Sequence, residues 1–360
     1  MENRNPSVYI IAEAGVNHNG RIETAKELID VAATAGADAV KFQTFRAKQV
    51  ISRFAPKADY QKETTTAEES QLAMVQRLEL DEGAHRMLME HCRSRNIELI
   101  STPFDTDSVD LLVRGLGLRC IKIPSGEITN GPYLLHIAET GRPVILSTGM
   151  SSLAEIETAL GVLAFGYLSG RAEPSLENFR AAYCSKDGQA LLQKRVTLLH
   201  CTTEYPAPFA EANLKAIHTM RKAFGLPVGL SDHTVGIAVP IAAVALGAVV
   251  IEKHFTLDRN LSGPDHKASL EPDELKAMIS AIRQVEAALG NGLKIPTPAE
   301  LKNRAIVRKS LVAAKRICRG ERLLPEHITS KRPGTGMSPM MYWEMLGKEA
   351  RNDYDEDTVI

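Results

Sequence analysis

Cysteine is scarce in this sequence of 360 residues, and the five that occur are scattered. They are Cys92, Cys120, Cys184, Cys201 and Cys318, and no C-x-x-C pair is present. An odd number at irregular spacing gives little support to a disulfide framework or a structural zinc site. The pattern therefore predicts reduced thiols and a cytoplasmic location.

An excess of charge of one sign and a long hydrophobic run are also missing. Lys and Arg number 43 and Asp and Glu 44, which gives a formal net charge of -1. Without a positive excess, a general attraction to nucleic-acid phosphates is not expected. The longest apolar run, residues 238–251, is shorter than the roughly 20 residues of a membrane-spanning helix. Because Glu13 also interrupts the apolar stretch near the N-terminus, we expect neither a nucleic-acid partner nor a membrane anchor.

Short β-branched apolar runs alternate with longer amphipathic segments over most of the chain. The predicted strands are residues 8–14, 39–44, 97–102, 120–124, 143–148, 196–202, 228–231 and 249–254. These runs are continuously hydrophobic, as expected of parallel strands covered by helices on both faces. Eight strand-then-helix units predict an α/β fold of the (β/α)8 TIM-barrel type. A doubly wound sheet is the alternative, but residues 15–18 after the first strand are not the Gly-rich phosphate loop that it would carry.

Amphipathic spacing also predicts helices, and four are at residues 23–35, 81–95, 151–163 and 239–248. Asp81 and Ser151 are the predicted N-caps of two of them, and Asp105 or Asp107 is expected to open another. Residues 46–71 form a polar insertion, which is either a lid or a solvated loop. A second insertion, residues 168–194, is predicted as a decoration without chemistry.

The pattern changes near residue 290, where glycine and proline cluster. We predict a barrel over residues 1–288, a linker over 289–304 and a small β-rich domain over 305–360. A domain of this size is marginal alone, so docking on the barrel or on another subunit is expected.

Nearly every predicted strand ends in a residue that is able to do chemistry. These residues are Glu13, Lys41, Gln43, Thr102, Lys122, Ser125, Glu127, Ser147, His200, Ser231, Asp232, His233, Glu252 and His254. In a barrel the carboxyl ends of the strands converge on one face, where such enzymes keep their active site. Polar residues at strand ends also simply meet water, but so many charged residues beside apolar flanks favour a site.

Lys41 and Lys122 form the first candidate pair. Two ammonium groups at a barrel mouth attract an anion such as a phosphate or a carboxylate. Neutral donors around it are the hydroxyls of Thr102, Ser125, Ser147 and Ser231. Each lysine could instead pair with a nearby carboxylate, or one could form the Schiff base of a class I aldolase. Two lysines with four hydroxyls favour the anion site.

His233 and His254 end the seventh and eighth predicted strands, which are neighbours in a barrel. Two imidazoles could share a divalent ion with open positions for water and substrate, as a Lewis acid needs. The alternative is that each is a hydrogen-bonded core histidine.

Glu13 and Glu127 are the candidate general acid/base residues. Nearby lysines are expected to lower the pKa of such a carboxyl group. A plain salt bridge from Glu127 to Lys122 is the alternative.

Ordered motifs throughout the chain resemble a known family. They are residues 11–20 (IAEAGVNHNG), 40–44 (VKFQT), 101–104 (STPF), 122–127 (KIPSGE), 146–150 (LSTGM), 200–206 (HCTTEYP), 230–234 (LSDHT), 252–256 (EKHFT) and 263–266 (GPDH). From about residue 8 to the end the sequence resembles the sialic-acid (nonulosonic-acid) synthases, and residues 331–334 resemble part of their C-terminal antifreeze-like (SAF) domain.

The resemblance implies a condensation. Phosphoenolpyruvate adds to the aldehyde of an N-acylated mannosamine-type sugar, with Mn²⁺ or Mg²⁺ as cofactor and a domain-swapped homodimer as the working form. His233 and His254 match the metal ligands, Glu127 matches the water-activating residue, and Glu13 lies near the reacting centre. Matching positions for phosphoenolpyruvate are Lys41, Thr102, Lys122, Ser125, Ser147 and Ser231. Sugar-side positions are Gln43, Tyr205 and Asp265, and Arg332 matches the arginine that reaches the sugar site of the other subunit.

Two further stretches bear on the acceptor but leave two sugars open. Residues 202–209 and 262–269 resemble bacterial legionaminic-acid synthases, and closely similar stretches occur in N-acetylneuraminic-acid synthases. The candidate acceptors are therefore 2,4-diacetamido-2,4,6-trideoxymannose and N-acetylmannosamine, which differ at the 4- and 6-positions. Thr203 stands where some members carry Asn. A non-enzymatic ice- or sugar-binding module is a third hypothesis, which the converging strand-end residues disfavour.

Overall fold

The computed structural model describes residues 7–55, 70–169 and 172–360. Contacts divide the chain into two compact units, Met1–Leu289 and Gly290–Ile360. Most of the predicted insertion 46–71 lies outside the described residues. Among the described helices, none is both long and apolar enough to cross a membrane.

Eight parallel strands form the sheet of the first unit. They are β1 Tyr9–Gly15, β2 Ala39–Thr44, β3 Glu98–Pro103, β4 Ile121–Ile123, β5 Val144–Ser147, β6 Val196–Cys201, β7 Val228–Asp232 and β8 Val250–His254. The hydrogen-bonded order is β3-β2-β1-β8-β7-β6-β5-β4. Because β3 and β4, the two ends of this order, also contact each other, the sheet closes on itself and the predicted (β/α)8 barrel is confirmed.

Helices follow the strands and cover the outside of the sheet. In the first unit they are α1 Ile22–Ala35, α2 Ala47–Val50, α3 Gln71–Gln76, α4 Glu82–Ser94, α5 Thr106–Asp110, α6 Gly131–Glu139, α7 Leu153–Leu168, α8 Leu176–Cys184, α9 Lys186–Arg195, α10 Lys215–Phe224, α11 Ala238–Ala245 and α12 Pro272–Leu289. Short helical turns occur at Leu111–Gly115, Ser125–Glu127, Phe209–Glu211 and His266–Ala268.

Side-chain caps fix where several helices begin. Asp81 accepts a hydrogen bond from Ala84 N and caps α4, as predicted. Asp105 caps α5. The predicted cap Ser151 is wrong by one residue: Ser152 caps α7, because Glu155 returns a bond to the Ser152 backbone in a capping box.

The barrel interior explains how the strands position polar groups at one end. Its apolar layer consists of Ile11, Ala39, Ile100, Ile145, Leu199 and Val250. Side chains two residues further along a strand point to the same interior. The positions directly above this layer are therefore Glu13, Lys41, Thr102, Ser147, Cys201 and Glu252, at the carboxyl ends of the strands.

The insertion 168–194 contains two helices, α8 and α9, which pack on α7. Gly161 of α7 permits this contact, because a Cβ there would lie 2.9 Å from the carbonyl oxygen of Phe179. Ala182 and Leu192 of the insertion are buried. The segment is thus an integral part of the barrel's helical layer.

The second unit is small and has its own core. It contains α13 Pro298–Val307, β9 Ser310–Ala313, β10 Ile328–Lys331 and α14 Tyr342–Met345, with short turns at Pro325–His327 and Pro339–Met341. β9 and β10 pair antiparallel, with Ile328 opposite Ala313. The buried core residues are Leu311, Ala313, Ile317, Leu323, Ile328 and Ala350. The predicted small β-rich fold is confirmed.

Candidate active site

The carboxyl ends of the barrel strands open on a cavity of about 310 Å³. Every strand, or the loop that follows it, contributes at least one lining residue. The predicted site residues that line it are Glu13, Lys41, Gln43, Thr102, Lys122, Ser125, Ser147, Tyr205, Ser231, His233, His254 and Asp265. The size is within the range of small-molecule sites, and the location is that of the active site in barrel enzymes.

Lys41 is held at the centre of the cavity by two carboxylates. Its Nζ lies 2.8 Å from Glu13 Oε2 and 3.6 Å from Glu252 Oε2, and it donates a hydrogen bond of 3.0 Å to Thr102 Oγ1. Burial lowers the pKa of Lys41, but Glu13 and Glu252 more than offset this, so that the pKa is raised. Lys41 is therefore a permanent ammonium group.

Lys122 stands across the cavity on β4. Its Nζ donates to Ser147 Oγ at 2.7 Å and lies 3.6 Å from Glu252 Oε1. Nearby, Ser125 Oγ accepts from Gly149 N at 3.0 Å. Burial lowers the pKa of Lys122. Two ammonium groups, each bonded to a hydroxyl group, provide the donors that a phosphate or carboxylate needs.

Glu252 belongs to this cluster, although the sequence analysis gave it no role. Its carboxylate lies between the two lysines and accepts a hydrogen bond of 2.7 Å from Ser231 Oγ. Burial alone would raise the pKa of Glu252, but Lys122, Lys41 and Ser231 lower it to about 2. The alternation along β8 places Glu252 on the same face as His254, so this predicted strand-end residue faces the barrel interior.

Glu13 behaves differently from the expectation for a carboxyl group near lysines. Burial raises the pKa of Glu13 to about 7, against the lowering effect of Lys41 and with a further rise from Glu252. The prediction of a lowered pKa is therefore wrong for Glu13, because the cost of burying its charge exceeds the attraction of the lysine. A carboxyl group that titrates near neutrality suits general acid/base catalysis.

His233 and His254 lie side by side, with ring centroids 5.6 Å apart. The Nδ1 of His233 donates to the Thr202 carbonyl oxygen at 2.6 Å, so the unprotonated nitrogen is Nε2, which lies 3.3 Å from Ser231 Oγ. The Nδ1 of His254 is buried, has no hydrogen-bond partner among the described residues, and lies 3.9 Å from Asp265 Oδ2. Tyr205 stacks on His233 at 4.2 Å between centroids.

The chemistry of these donors fits a divalent metal ion. Burial lowers the pKa of His233 to about 4 and that of His254 well below its ordinary value, so both rings are neutral, as ligands must be. Across residues 7–55, 70–169 and 172–360, no three His, Cys, Asp or Glu side chains come together as a group that could hold a metal ion. The pair would thus supply part of a coordination shell and leave positions open.

A buried ion pair fixes the strands behind the two histidines. Lys253 is fully buried, and its Nζ lies 2.6 Å from Asp232 Oδ2 and also donates to the Thr234 carbonyl oxygen. Asp232 accepts in turn from the backbone and hydroxyl of Thr234. The pair joins β7 to β8 one residue before each histidine.

Asp265 and Gln43 line the cavity near the reacting groups. Burial raises the pKa of Asp265 to about 6. Gln43 Nε2 lies 3.5 Å from Glu13 Oε1. Their predicted contacts with a sugar stay predictions.

One predicted site residue of the first unit does not line this cavity among the described residues. Glu127 is in the turn Ser125–Glu127, and its carboxylate accepts a hydrogen bond of 2.7 Å from Asn130 Nδ2. Arg332 is exposed in the second unit. The water-activating role of Glu127 and the sugar-binding role of Arg332 stay predictions.

Hydrophobic residues also line the cavity, and none of them was a predicted site residue. They are Val16, Phe45, Val50, Val75, Leu78 and Phe104, which form one cluster and together are named the apolar wall. The wall follows β1, β2 and β3. Val50 and Val75 belong to the short helices α2 and α3, and the other four residues lie in loops. Segments this short carry no periodic signal, which is why the sequence did not reveal the wall.

Comparison with known proteins agrees with this geometry. The model of the NeuB family matches residues 28–294, and that of the SAF domain matches residues 308–360. The N,N'-diacetyllegionaminic acid synthase of Campylobacter jejuni is 56% identical over 98% of both chains. The enzyme of the same name from Legionella pneumophila is 43% identical over 98% of this chain and 93% of its own.

A solved structure is similar as well. The N-acetylneuraminic acid synthetase of Leptospira borgpetersenii superposes with a TM-score of 0.67 at 34% identity, covering 82% of this chain and 90% of its own. Family match, near-complete coverage and fold point the same way, and the chain belongs to the NeuB family.

Proposed function

We propose that this protein condenses phosphoenolpyruvate with 2,4-diacetamido-2,4,6-trideoxymannose to give N,N'-diacetyllegionaminic acid and phosphate. The observation that carries the proposal is the cavity itself, in which the Lys41–Lys122 pair faces the His233–His254 pair. The synthases of that name in Campylobacter jejuni and Legionella pneumophila support the choice of acceptor.

The lysines bind the anionic substrate. Phosphoenolpyruvate carries a carboxylate and a phosphate, so removing its water requires replacement donors. Lys41, Lys122 and the hydroxyls of Thr102, Ser125, Ser147 and Ser231 provide these. Because Lys41 keeps a raised pKa, it remains charged throughout the reaction.

The bonds change in two stages. The methylene carbon of phosphoenolpyruvate attacks the aldehyde carbon, which leaves an alkoxide and a cationic centre at C2. Water adds to C2 and loses one proton, which the alkoxide oxygen takes up. Phosphate then leaves with the C–O bonding pair, and the C2 hydroxyl group gives its remaining proton to the phosphate, which yields the 2-keto acid. With a pKa of about 7, Glu13 accepts and returns the protons that these steps move.

His233 and His254 would hold the divalent ion, Mn²⁺ or Mg²⁺. When bound, the ion supplies Lewis-acid polarisation of the aldehyde oxygen. The Thr202 carbonyl oxygen orients His233, and the Asp232–Lys253 pair braces both strands, so the ligands are positioned in advance.

We also propose a homodimer in the cytoplasm as the working form. The exposed guanidinium of Arg332 is available to a partner subunit, and all five cysteines are free thiols. The domain-swapped arrangement itself remains part of the proposal.

The test is an assay of phosphate release from phosphoenolpyruvate with each of the two acceptors. Release is expected only when an acceptor and Mn²⁺ or Mg²⁺ are both present, and chelation followed by dialysis is expected to abolish it. His233→Ala is expected to lose most turnover and to weaken Mn²⁺ binding measured by electron paramagnetic resonance, with its circular dichroism spectrum unchanged. Full activity without metal, or in the His233→Ala enzyme, would contradict the metal site.

The lowered pKa of Lys122 is the one observation that favours a class I aldolase. Borohydride reduction in the presence of substrate distinguishes the two reactions. The condensation predicts no trapped adduct on lysine, whereas an adduct on Lys122 would overturn it.

A further inference from the structure

The cavity is divided into three sides of different chemistry. Lys122 on β4, Ser147 on β5 and Ser125 after β4 provide donors for an anion, together with Lys41 on β2 and Thr102 on β3. The two histidines end β7 and β8. The apolar wall follows β1, β2 and β3 and has no part in binding an anion or a metal.

We propose that the apolar wall is the acceptor-specificity surface, where the methyl groups of a 4-acetamido-6-deoxy sugar bind. N-acetylmannosamine carries hydroxyl groups at the corresponding positions and is disfavoured there. This assignment rests on the proposed function and names the feature of the acceptor that the same cavity recognises.

The wall is already packed without a ligand. Val16, Phe45 and Leu78 are buried, and Val50, Val75 and Phe104 pack against them. The rings of Phe45 and Phe104 meet edge to face, with centroids 6.1 Å apart and an interplanar angle of 82°. Edge-to-face pairs are a favourable arrangement of aromatic rings. A surface that keeps its shape can discriminate between substituents of different polarity.

The wall begins beside the groups that would hold the reacting end of the sugar. A Cβ at Gly15 would lie 3.5 Å from His254 Cε1 and 3.4 Å from Gln43 Nε2, and Val16, the first wall residue, comes next in the chain. An aldehyde held at the histidines therefore extends its carbon chain along Gln43 towards the wall. Because C1 is the reacting end, the 4- and 6-substituents are those that reach the apolar side chains.

The chemistry of the wall sets the direction of the preference. Its six side chains offer no hydrogen-bond donor or acceptor. The polar lining residues that the same described stretch of chain contributes are Glu13, Lys41, Gln43, Gln71 and Thr102. A sugar hydroxyl pressed against the wall loses water without a replacement partner, whereas a methyl group gains contact. A single group of this kind in a hydrophobic pocket changes kcat/KM by about 10- to 200-fold.

Valine-to-threonine substitutions test the wall at nearly constant volume. Val50→Thr and Val75→Thr each place a hydroxyl on it, and Val31→Thr is the matched control. Val31 is a half-buried valine on α1 outside the cavity lining of the described chain. The measurement is kcat/KM for both acceptors at saturating phosphoenolpyruvate, together with the KM for phosphoenolpyruvate.

The wild type is expected to prefer the diacetamido-trideoxy acceptor by tenfold or more. Val50→Thr and Val75→Thr are each expected to reduce this ratio about five- to tenfold, with the KM for phosphoenolpyruvate unchanged. Val31→Thr is expected to keep the wild-type ratio. Circular dichroism verifies that each variant is folded.

Three outcomes overturn the assignment. If both wall variants keep the wild-type ratio, the wall contacts a group that the acceptors share, such as the 2-acetamido methyl. A wild-type enzyme that prefers N-acetylmannosamine would contradict the direction of preference assigned to the wall. If the wild-type enzyme uses neither acceptor in the presence of phosphoenolpyruvate and metal, the proposed function itself is wrong. This result is distinct from the other two.

Discussion

Glu13 is paired with one residue on each of the two strands that flank β1. On β1 it is opposite Lys41 of β2 and also opposite His254 of β8. The same carboxyl group therefore neighbours an ammonium group on one side and the imidazole pair on the other. An anion bound beside Lys41 adds negative charge near Glu13 and favours its protonated form still further. Substrate binding and the protonation of Glu13 are thus expected to support each other.

Replacement of Glu13 by glutamine tests its role as acid and base. The amide keeps the shape of the side chain but cannot exchange a proton, so kcat at pH 7 is expected to fall by about 10²- to 10⁴-fold. Glu127→Gln is the matched control and is expected to change kcat by less than about tenfold, because its carboxylate bonds to Asn130 outside the cavity lining. The measurement is kcat for each variant between pH 5.5 and 8.5. A larger loss in Glu127→Gln than in Glu13→Gln would instead assign the main acid/base role to Glu127, as the family resemblance implies.

For single residues, the sequence predicts which side chains belong to the site better than it predicts their pKa values. Lys41, Lys122 and the two histidines are predictable because each ends or interrupts an apolar run. The position of Glu252 between two lysines depends on distances across the barrel, which the order of residues does not contain. The raised pKa of Glu13 likewise depends on how completely burial removes water from its carboxyl group. The direction of this pKa shift cannot be predicted from the adjacent residues in the sequence.

Helix ends provide a direct test at the scale of the element. Ser152→Ala removes the cap of α7 and is expected to lower the free energy of unfolding by about 1 kcal/mol. Ser151→Ala is the matched control, since its hydroxyl donates to the Gly149 carbonyl oxygen and does not cap the helix. Urea denaturation followed by circular dichroism measures both. A loss in Ser151→Ala as large as that in Ser152→Ala would show that the adjacent serine shares the cap.

The strands were predictable as elements, and the inserted helices were not. Parallel strands covered on both faces read as continuous apolar runs, so the predicted and observed bounds of β2 coincide and the others differ by a few residues. Helix α9 is mostly polar and α8 is mixed, and the burial of both is confined to a few positions such as Ala182 and Leu192. Their stability comes from packing on α7, which requires the close approach at Gly161 and leaves little periodic signal.

For the molecule as a whole, the net charge of -1 conceals a local arrangement. The buried lysines of the cavity are matched by Glu13 and Glu252, so the site is not a basic patch. Its affinity for an anion comes from positioned donors and from a carboxyl group, Glu13, that becomes neutral near pH 7. Total charge excluded broad classes of partner, but recognition is set by the few groups that the barrel brings together.

For the whole barrel, we predict how the free energy of unfolding changes in acid. Burial lowers the pKa of His18 and His266 to about 4, and it also lowers that of His85 and His200. Unfolding returns these rings towards the ordinary value near 6.5. Between about pH 6.5 and pH 4 the unfolded chain therefore binds more protons than the folded chain, so stability falls as pH falls. Glu13 and Asp265, whose pKa values are raised, act in the opposite direction.

His18→Gln isolates one of these contributions. His18 is fully buried, and Gly20 N donates to its Nδ1. Between pH 7 and pH 4.5 the variant is expected to lose about 2 kcal/mol less stability than the wild type. Exposed His218→Gln is the matched control and is expected to follow the wild type. Urea denaturation followed at 222 nm reports the helical barrel, whereas fluorescence of Trp343, the single tryptophan, reports the second unit. If His18→Gln keeps the wild-type dependence on pH, its ring is already protonated in the folded barrel and the burial argument fails for it.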